Sequence, residues 1–266
     1  MESKKRKGLG KTGSKLLSLL SSKNNEEVFT IKEAKDISRI KGPTLRKLLF
    51  DMERNGWIER IERGKYLIHP LDAGLGTHRT HPFIIARKMV KPYYIGFLSA
   101  LNHHGVSAQV SRTVFIATTK KKRSLSFQSQ EFRFVVLDKK RFFGFEEEWV
   151  GNMKFNISEL EKTVVDCLFL PEYGGGLSEV IKAFGEKMDY EKLCDYAIKM
   201  DDVSIVKRLG YILDALAIDT PAKEKLLKNV SGSYCPLDST IGKSGKKNAK
   251  WRIIENVSND ELQVEL

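Results

Sequence analysis

Between Ser14 and Ile68 the chain is cut into short pieces by local signals, each of which sets the backbone around it. Leu16, Leu17, Leu19 and Leu20 form an apolar stripe suited to a first helix, which Asn24-Asn25 ends. Val28-Phe29 is a brief extended piece. Thr30-Ile-Lys-Glu33 is a capping box, in which the Thr hydroxyl accepts from the Glu33 amide and the Glu carboxylate reaches back to the Thr30 amide. The helix it opens should bury Ile31, Ala34 and Ile37, and Arg39 to Gly42 is the turn after it. Pro43 suits a helix N1 position, where a missing N–H costs little. Leu45, Leu48, Leu49 and Met52 give the third helix one buried face. Asn55-Gly56 closes it with a residue that tolerates left-handed backbone. Trp57–Glu62 and Lys65–Ile68 are β-prone runs about Arg63-Gly64 and read as a hairpin.

Three helices followed by a short hairpin is the order of a winged helix-turn-helix, here over residues 14–70. Charge agrees with that reading. The chain has 46 Lys+Arg against 34 Asp+Glu, a net of +12. Residues 1–70 hold 17 against 9, so +8 of the excess lies in about a quarter of the 266 residues. Double-stranded DNA is the expected partner. The third helix would enter the major groove with Lys41, Thr44, Arg46 and Lys47 at or near its leading end. Arg60, Arg63 and Lys65 would form the wing, placed for phosphates or the minor groove. The alternative is a winged helix used for protein contacts, with these charges as a solvated face. Residues 1–13, with Lys4-Lys5-Arg6-Lys7 and nearby glycines, read either as a mobile basic DNA-binding arm or as a solvated terminus.

Other classes are excluded by composition. No run approaches the ~18 apolar residues of a membrane span, and the Lys-rich start leads into no apolar segment of a secretory signal. Cys167, Cys194 and Cys235 are odd in number and widely spaced, giving neither a disulfide framework nor a zinc pattern. A cytoplasmic setting is therefore expected. With 41% hydrophobic residues a chain this long can bury a sizeable core.

Residues 71–82, rich in Gly, His and Thr, read as a linker, and 83–266 as a larger α+β domain. Residues 83–91 are expected to be helical, and Tyr93 to His104 to end in a short helix stopped by Gly105. Val114–Ala117, Phe132–Leu137 and Met153–Ile157 read as strands. Ser158-x-x-Glu161 reads as a second capping box, opening a helix that buries Leu160, Val164, Val165, Leu168 and Phe169. Helices are expected over 177–187, 190–199, 202–217 and 221–229. Strands followed by helices imply segregated layers: a small sheet and a helical C-terminal half.

The order of local motifs in this domain resembles the abortive-infection type IV antitoxins, the AbiEi-like family. The matching residues are Ser99-Ala100-Leu101 with His104-Gly105, the strand around Val114–Ala117, and Ile157-Ser158-x-x-Glu161-Lys162-Thr163-Val-Val-Asp166. The turn from Pro171 to Gly176 with helices after it, Tyr234–Leu237, and Trp251–Asn256 complete the series. With the winged helix in front, the resemblance spans nearly the whole chain. It implies an antitoxin that represses its own operon through the winged helix and whose larger domain counteracts a nucleotidyltransferase toxin, directly or indirectly. Lys162 stands where the family usually has Arg, which keeps the charge but loses the planar fork.

No constellation points to catalysis, to a metal or to another cofactor. His103 and His104 are adjacent and point different ways, and no Cys or acidic pair sits at ligand spacing to them or to His78 and His81. His104 is expected to bond a carbonyl at a helix end. Glu161 and Asp166, five apart, share no helix face; Asp166 is expected to anchor a buried polar contact. Gly174-Gly175-Gly176 lacks the Gly-Lys-Ser/Thr ending of a phosphate loop, and Ser99 has no G-x-S-x-G setting. Lys120–Arg123 reads as a hairpin tip and Lys243–Arg252 as a loop, each either a nucleic-acid contact or a solvated turn. Two other functional readings stay open: a plain winged-helix transcription factor with a sensing or dimerisation domain, and a DNA-targeted nuclease. The oligomeric state is not legible.

Overall fold

The computed structural model describes residues 8–22, 27–70, 79–107, 109, 111–185, 187–258 and 262. The fold mixes helices with several small sheets. Two compact units divide it: the described part of Met1–Lys91 with Ser126–Gln130 and Glu148–Phe155, and the rest.

The first unit runs α1 (Lys11–Ser22), β1 (Val28–Thr30), α2 (Ile31–Ser38), α3 (Gly42–Arg54), β2 (Ile58–Glu62), β3 (Lys65–Ile68) and α4 (Pro82–Met89). The capping box at α2 is complete: the Glu33 amide donates to Thr30 Oγ1 at 3.1 Å, and the Thr30 amide donates to Glu33 Oε2 at 2.7 Å. Pro43 lies in the first turn of α3. Gly56 and Gly64 take φ of 78° and 79°, the left-handed backbone that the helix end and the hairpin turn require. The three strands pair antiparallel in the order β1-β3-β2. Leu16, Leu17 and Leu20 of α1, Ala34 of α2, and Leu45, Leu49 and Met52 of α3 close over Phe29, Ile58 and Ile68 of the sheet. Each fully buried Leu or Ile contributes about 1.5–3 kcal/mol, so this core holds α3 against the hairpin.

Some boundaries differ from expectation. Lys11–Gly13, assigned to the basic arm, are the first turn of α1, and Gly13 is buried there. Lys4–Lys7 and Asn24-Asn25 lie outside the described residues, as do positions 71–78 of the linker. Helix α4, expected in the second domain, falls in the first unit, where the Lys88 ammonium donates to Glu33 Oε1 at 2.7 Å.

Along the chain then follow β4 (Tyr94–Ile95), α5 (Phe97–His103), β5 (Thr113–Thr118), β6 (Leu125–Phe127), β7 (Gln130–Val136), β8 (Phe145–Val150) and β9 (Met153–Ser158). Of these, Ser126–Phe127, Gln130, Glu148–Val150 and Met153–Phe155 count with the first unit and the remainder with the second. Their sheet has the order β6-β7-β5-β4-β9-β8. It is mixed, with β5 parallel to β7 and β4 parallel to β9, while β4 and β5 run antiparallel. Then come α6 (Leu160–Phe169), α7 (Leu177–Ile181), α8 (Tyr190–Lys199), α9 (Val203–Ala215) and α10 (Ala222–Lys228). A small sheet of β10 (Cys235–Pro236), β11 (Lys246–Asn248) and β12 (Ile253–Glu255) closes the chain in the order β10-β12-β11. It joins the Tyr234–Leu237 and Trp251–Asn256 segments, because β10 lies parallel to β12.

Three expectations are corrected here. Lys120–Arg123 is not a hairpin tip: β5 is parallel to β7, so the chain after β5 must cross back, and the hairpin turn is at Gln128-Ser129 between β6 and β7. Lys243–Arg252 is not one loop, since Lys246–Asn248 pair with β12. Ser158 and Glu161 form no capping box: β9 stays extended through Ser158, the N-cap is Glu159, and no side chain caps α6.

Candidate nucleic-acid interface

On α3, Leu45, Leu49 and Met52 are buried, which turns the opposite face outward. Thr44, Arg46, Lys47, Phe50 and Arg54 are exposed along it, with Lys41 exposed at the N-cap. The β2–β3 hairpin stands beside this helix. Its exposed Arg60 and Arg63, with Gly64 and Tyr66, face Arg46, Phe50 and Glu53 across a cleft of about 460 Å3 floored by Ile31. Tyr66 is braced by stacking on Phe29, ring centroids 5.5 Å apart. The side chains of Lys41, Arg46, Lys47, Arg60 and Arg63 form no hydrogen bond or ion pair among the described residues. Cations left unpaired around one concave surface favour an anionic ligand.

Lys65 differs from the other expected contacts. Its ammonium donates to the Met89 carbonyl and pairs with Glu62 at 2.8 Å, so it is engaged within the unit. Phe50 is a residue that sequence reasoning passed over. Its signal was available: it is apolar, yet it lies off the Leu45-Leu49-Met52 face and one turn beyond Arg46.

Most motif residues of the second unit lie together in its interior, with His104 half-buried and Gly105 exposed at its edge. Ser99 Oγ accepts from the Phe115 amide at 2.9 Å and donates to the Thr113 carbonyl, which ties α5 to β5. Ala100 and Leu101 are fully buried, and Gly105 ends α5 with φ of 74°. His104 Nε2 donates to the Ser158 carbonyl at 2.8 Å, the helix-end role expected of it. Thr163 Oγ1 donates to the Glu159 carbonyl at 2.8 Å and meets Ser158 Oγ at 2.6 Å. Glu161 turns to the start of α8, accepting from the Asp189 amide and pairing with Lys192 at 3.1 Å.

Lys162 and Asp166, one turn apart on α6, form an ion pair from which solvent is wholly excluded. The Tyr94 hydroxyl donates to the second Asp166 oxygen at 2.7 Å. Burial pushes the Asp166 carboxyl up, and outweighs the opposing pull of Lys162 and Tyr94. The Tyr94 hydroxyl is driven well above its ordinary range by the same burial and by the neighbouring Asp166. The Lys162 ammonium also lies 4.9 Å from the Phe143 ring centre. These residues therefore join β4, α5, β9, α6 and α8 into one scaffold. No group of three or more His, Cys, Asp or Glu side chains able to hold a metal occurs among the described residues. Nor is any described helix long and apolar enough to cross a membrane.

The chain matches no known family model, and no curated protein resembles it in sequence. Its fold is shared by a solved protein. The crystal structure of RV2827C protein from Mycobacterium tuberculosis superposes with a TM-score of 0.67 over 98% of this chain and 96% of that one. The two are 12% identical, so the likeness is one of fold.

Proposed function

We propose that the first unit is a winged helix-turn-helix that binds double-stranded DNA at the chain's own promoter. The carrying observation is that Arg46 of α3 and Arg60 and Arg63 of the β2–β3 hairpin line one cleft and are all unpaired among the described residues. The element order of that unit and the strand order β1-β3-β2 favour the same reading. Helix α3 is the recognition helix, with Lys41, Thr44, Arg46 and Lys47 at the groove and Arg60 and Arg63 on the flanking backbone.

The second unit, by its likeness to the AbiEi-like antitoxins, counteracts a cognate nucleotidyltransferase toxin in the cytoplasm. The motif residues Ser99, His104, Glu161, Lys162, Thr163 and Asp166 support this as internal framing: they hold the elements in place and leave toxin contact to the surface. The reading assigns the chain no catalytic step. Its test has two arms. The full-length protein should bind a duplex of its own promoter more tightly than a scrambled duplex of equal length. Its expression should also rescue cells producing the nucleotidyltransferase encoded beside it. Equal affinity for both duplexes refutes the first arm, and failure to rescue refutes the second.

A further inference from the structure

Phe50 is 61% exposed in the middle of α3. Arg46 precedes it by one helical turn and Arg54 follows it by one, both exposed. Its ring lines the same cleft as Arg46, Arg60 and Arg63. A phenyl group gains nothing from phosphate, so the anionic backbone that suits the arginines of this cleft is not the contact an exposed ring at position 50 would favour. Its natural contact in the major groove is the thymine C5-methyl, the one apolar group that a base edge presents there. Resting on the DNA-binding reading above, we infer that Phe50 is a specificity-determining residue that packs on a thymine methyl in the operator. Phe50 lies about 6 Å along the helix from Arg46, which places that thymine one or two base pairs from the Arg46 contact.

Replacing thymine by deoxyuridine removes the methyl and keeps both the base pairing and the O4 acceptor. The test measures full-length protein on its own promoter duplex, with thymines in the protected region exchanged for deoxyuridine one at a time. Wild type should lose about five- to tenfold in affinity at one or two positions, the scale of one buried methyl and its partner surface. F50A should lose a similar factor on the natural duplex and become indifferent to the same exchanges, while F50L should keep part of the sensitivity. Arg46→Ala should weaken binding and yet retain the methyl penalty. A wild type that binds the promoter but ignores every exchange overturns the inference and leaves the DNA-binding reading standing. An F50A variant that keeps the full penalty, or changes only the oligomeric state, also overturns it. A wild type with no preference for the promoter defeats both the inference and the reading.

Discussion

Gly210 of α9 lies against the indole of Trp251: a Cβ at position 210 would come within 2.2 Å of the ring. Trp251 is 1% exposed, so the ring has nowhere to move. An Ala at a helix interior would otherwise gain up to about 1 kcal/mol over Gly. Here overpacking reverses the sign, and Gly210→Ala should destabilise the chain by roughly 1–3 kcal/mol. Gly242→Ala, at a site with open space around it, should be near neutral. Denaturant midpoints of the two variants check the contrast.

Asp214 couples the same helix to the end of the chain. It accepts from Trp251 Nε1 at 2.6 Å and from the ammonium groups of Lys250 and Lys223 at 2.5 and 3.2 Å. Partial burial would raise its carboxyl, but these donors outweigh it and hold the group below its ordinary value of 3.8. A lowered folded value means that the contribution is full above the unfolded value and is lost as pH falls through the folded one. Asp214→Asn should therefore be less stable than wild type at neutral pH, and the gap should shrink below about pH 4. A gap that stays constant down to pH 2 contradicts this.

The buried Lys162–Asp166 pair should respond unequally to single and paired changes. Asp166→Ala leaves an ammonium without its partner in a dry interior and should cost about 3–5 kcal/mol. Replacing Lys162 by Met and Asp166 by Leu, with Tyr94→Phe to remove the stranded hydroxyl, should cost much less. Urea unfolding of the single and combined variants decides it; equal losses would show that shape rather than charge pairing holds this site.

At α2, Thr30→Ala removes the hydroxyl that caps the Glu33 amide and should cost about 0.5–2 kcal/mol. DNA binding should fall with it, since α2 supports the proposed recognition helix. Supplying the lost stability at low temperature should restore binding, which separates this variant from Arg46→Ala.

For that last variant, and for Arg63→Ala, the salt dependence of promoter binding is informative. If the lost guanidinium neutralised a phosphate, the slope of log affinity against log salt should fall by about 0.9. If Arg46 reads a base, its loss should be about 1–3 kcal/mol and confined to sequences carrying that base. Titrations at several salt concentrations distinguish the two.

Much of the first unit was legible in advance because its signals are local. The Thr30–Glu33 box, Pro43, Gly56 and Gly64 each act on a few residues of backbone, and all four stand where the sequence predicts them. Ser158-x-x-Glu161 has the same wording and a different outcome. Ile157 pairs with Ile95 across two strands, which keeps Ser158 extended and turns its hydroxyl to the Ile95 carbonyl and Thr163. Lys120–Arg123 misled for a related reason: strands adjacent in sequence invite a hairpin, but β5 takes its parallel partner from further along the chain. Periodicity also sets Phe50 off the buried face of α3, but only its place in the cleft with Arg46, Arg60 and Arg63 gives that exposed ring a use.

The sequence by itself determined where α2 and α3 start and stop, the unequal sharing of positive charge, the carbonyl contact of His104 and the buried polar contact of Asp166. Those properties depend on neighbours within a turn or two, or on the cost of burying polar groups unpaired. Only the tertiary structure decided which strands pair beyond the β2–β3 hairpin, that Lys65 is engaged while Arg46, Arg60 and Arg63 line one cleft, and that Trp251 seats on Gly210. Such choices are settled by burial and pairing between residues far apart in the chain, where no local signal reaches.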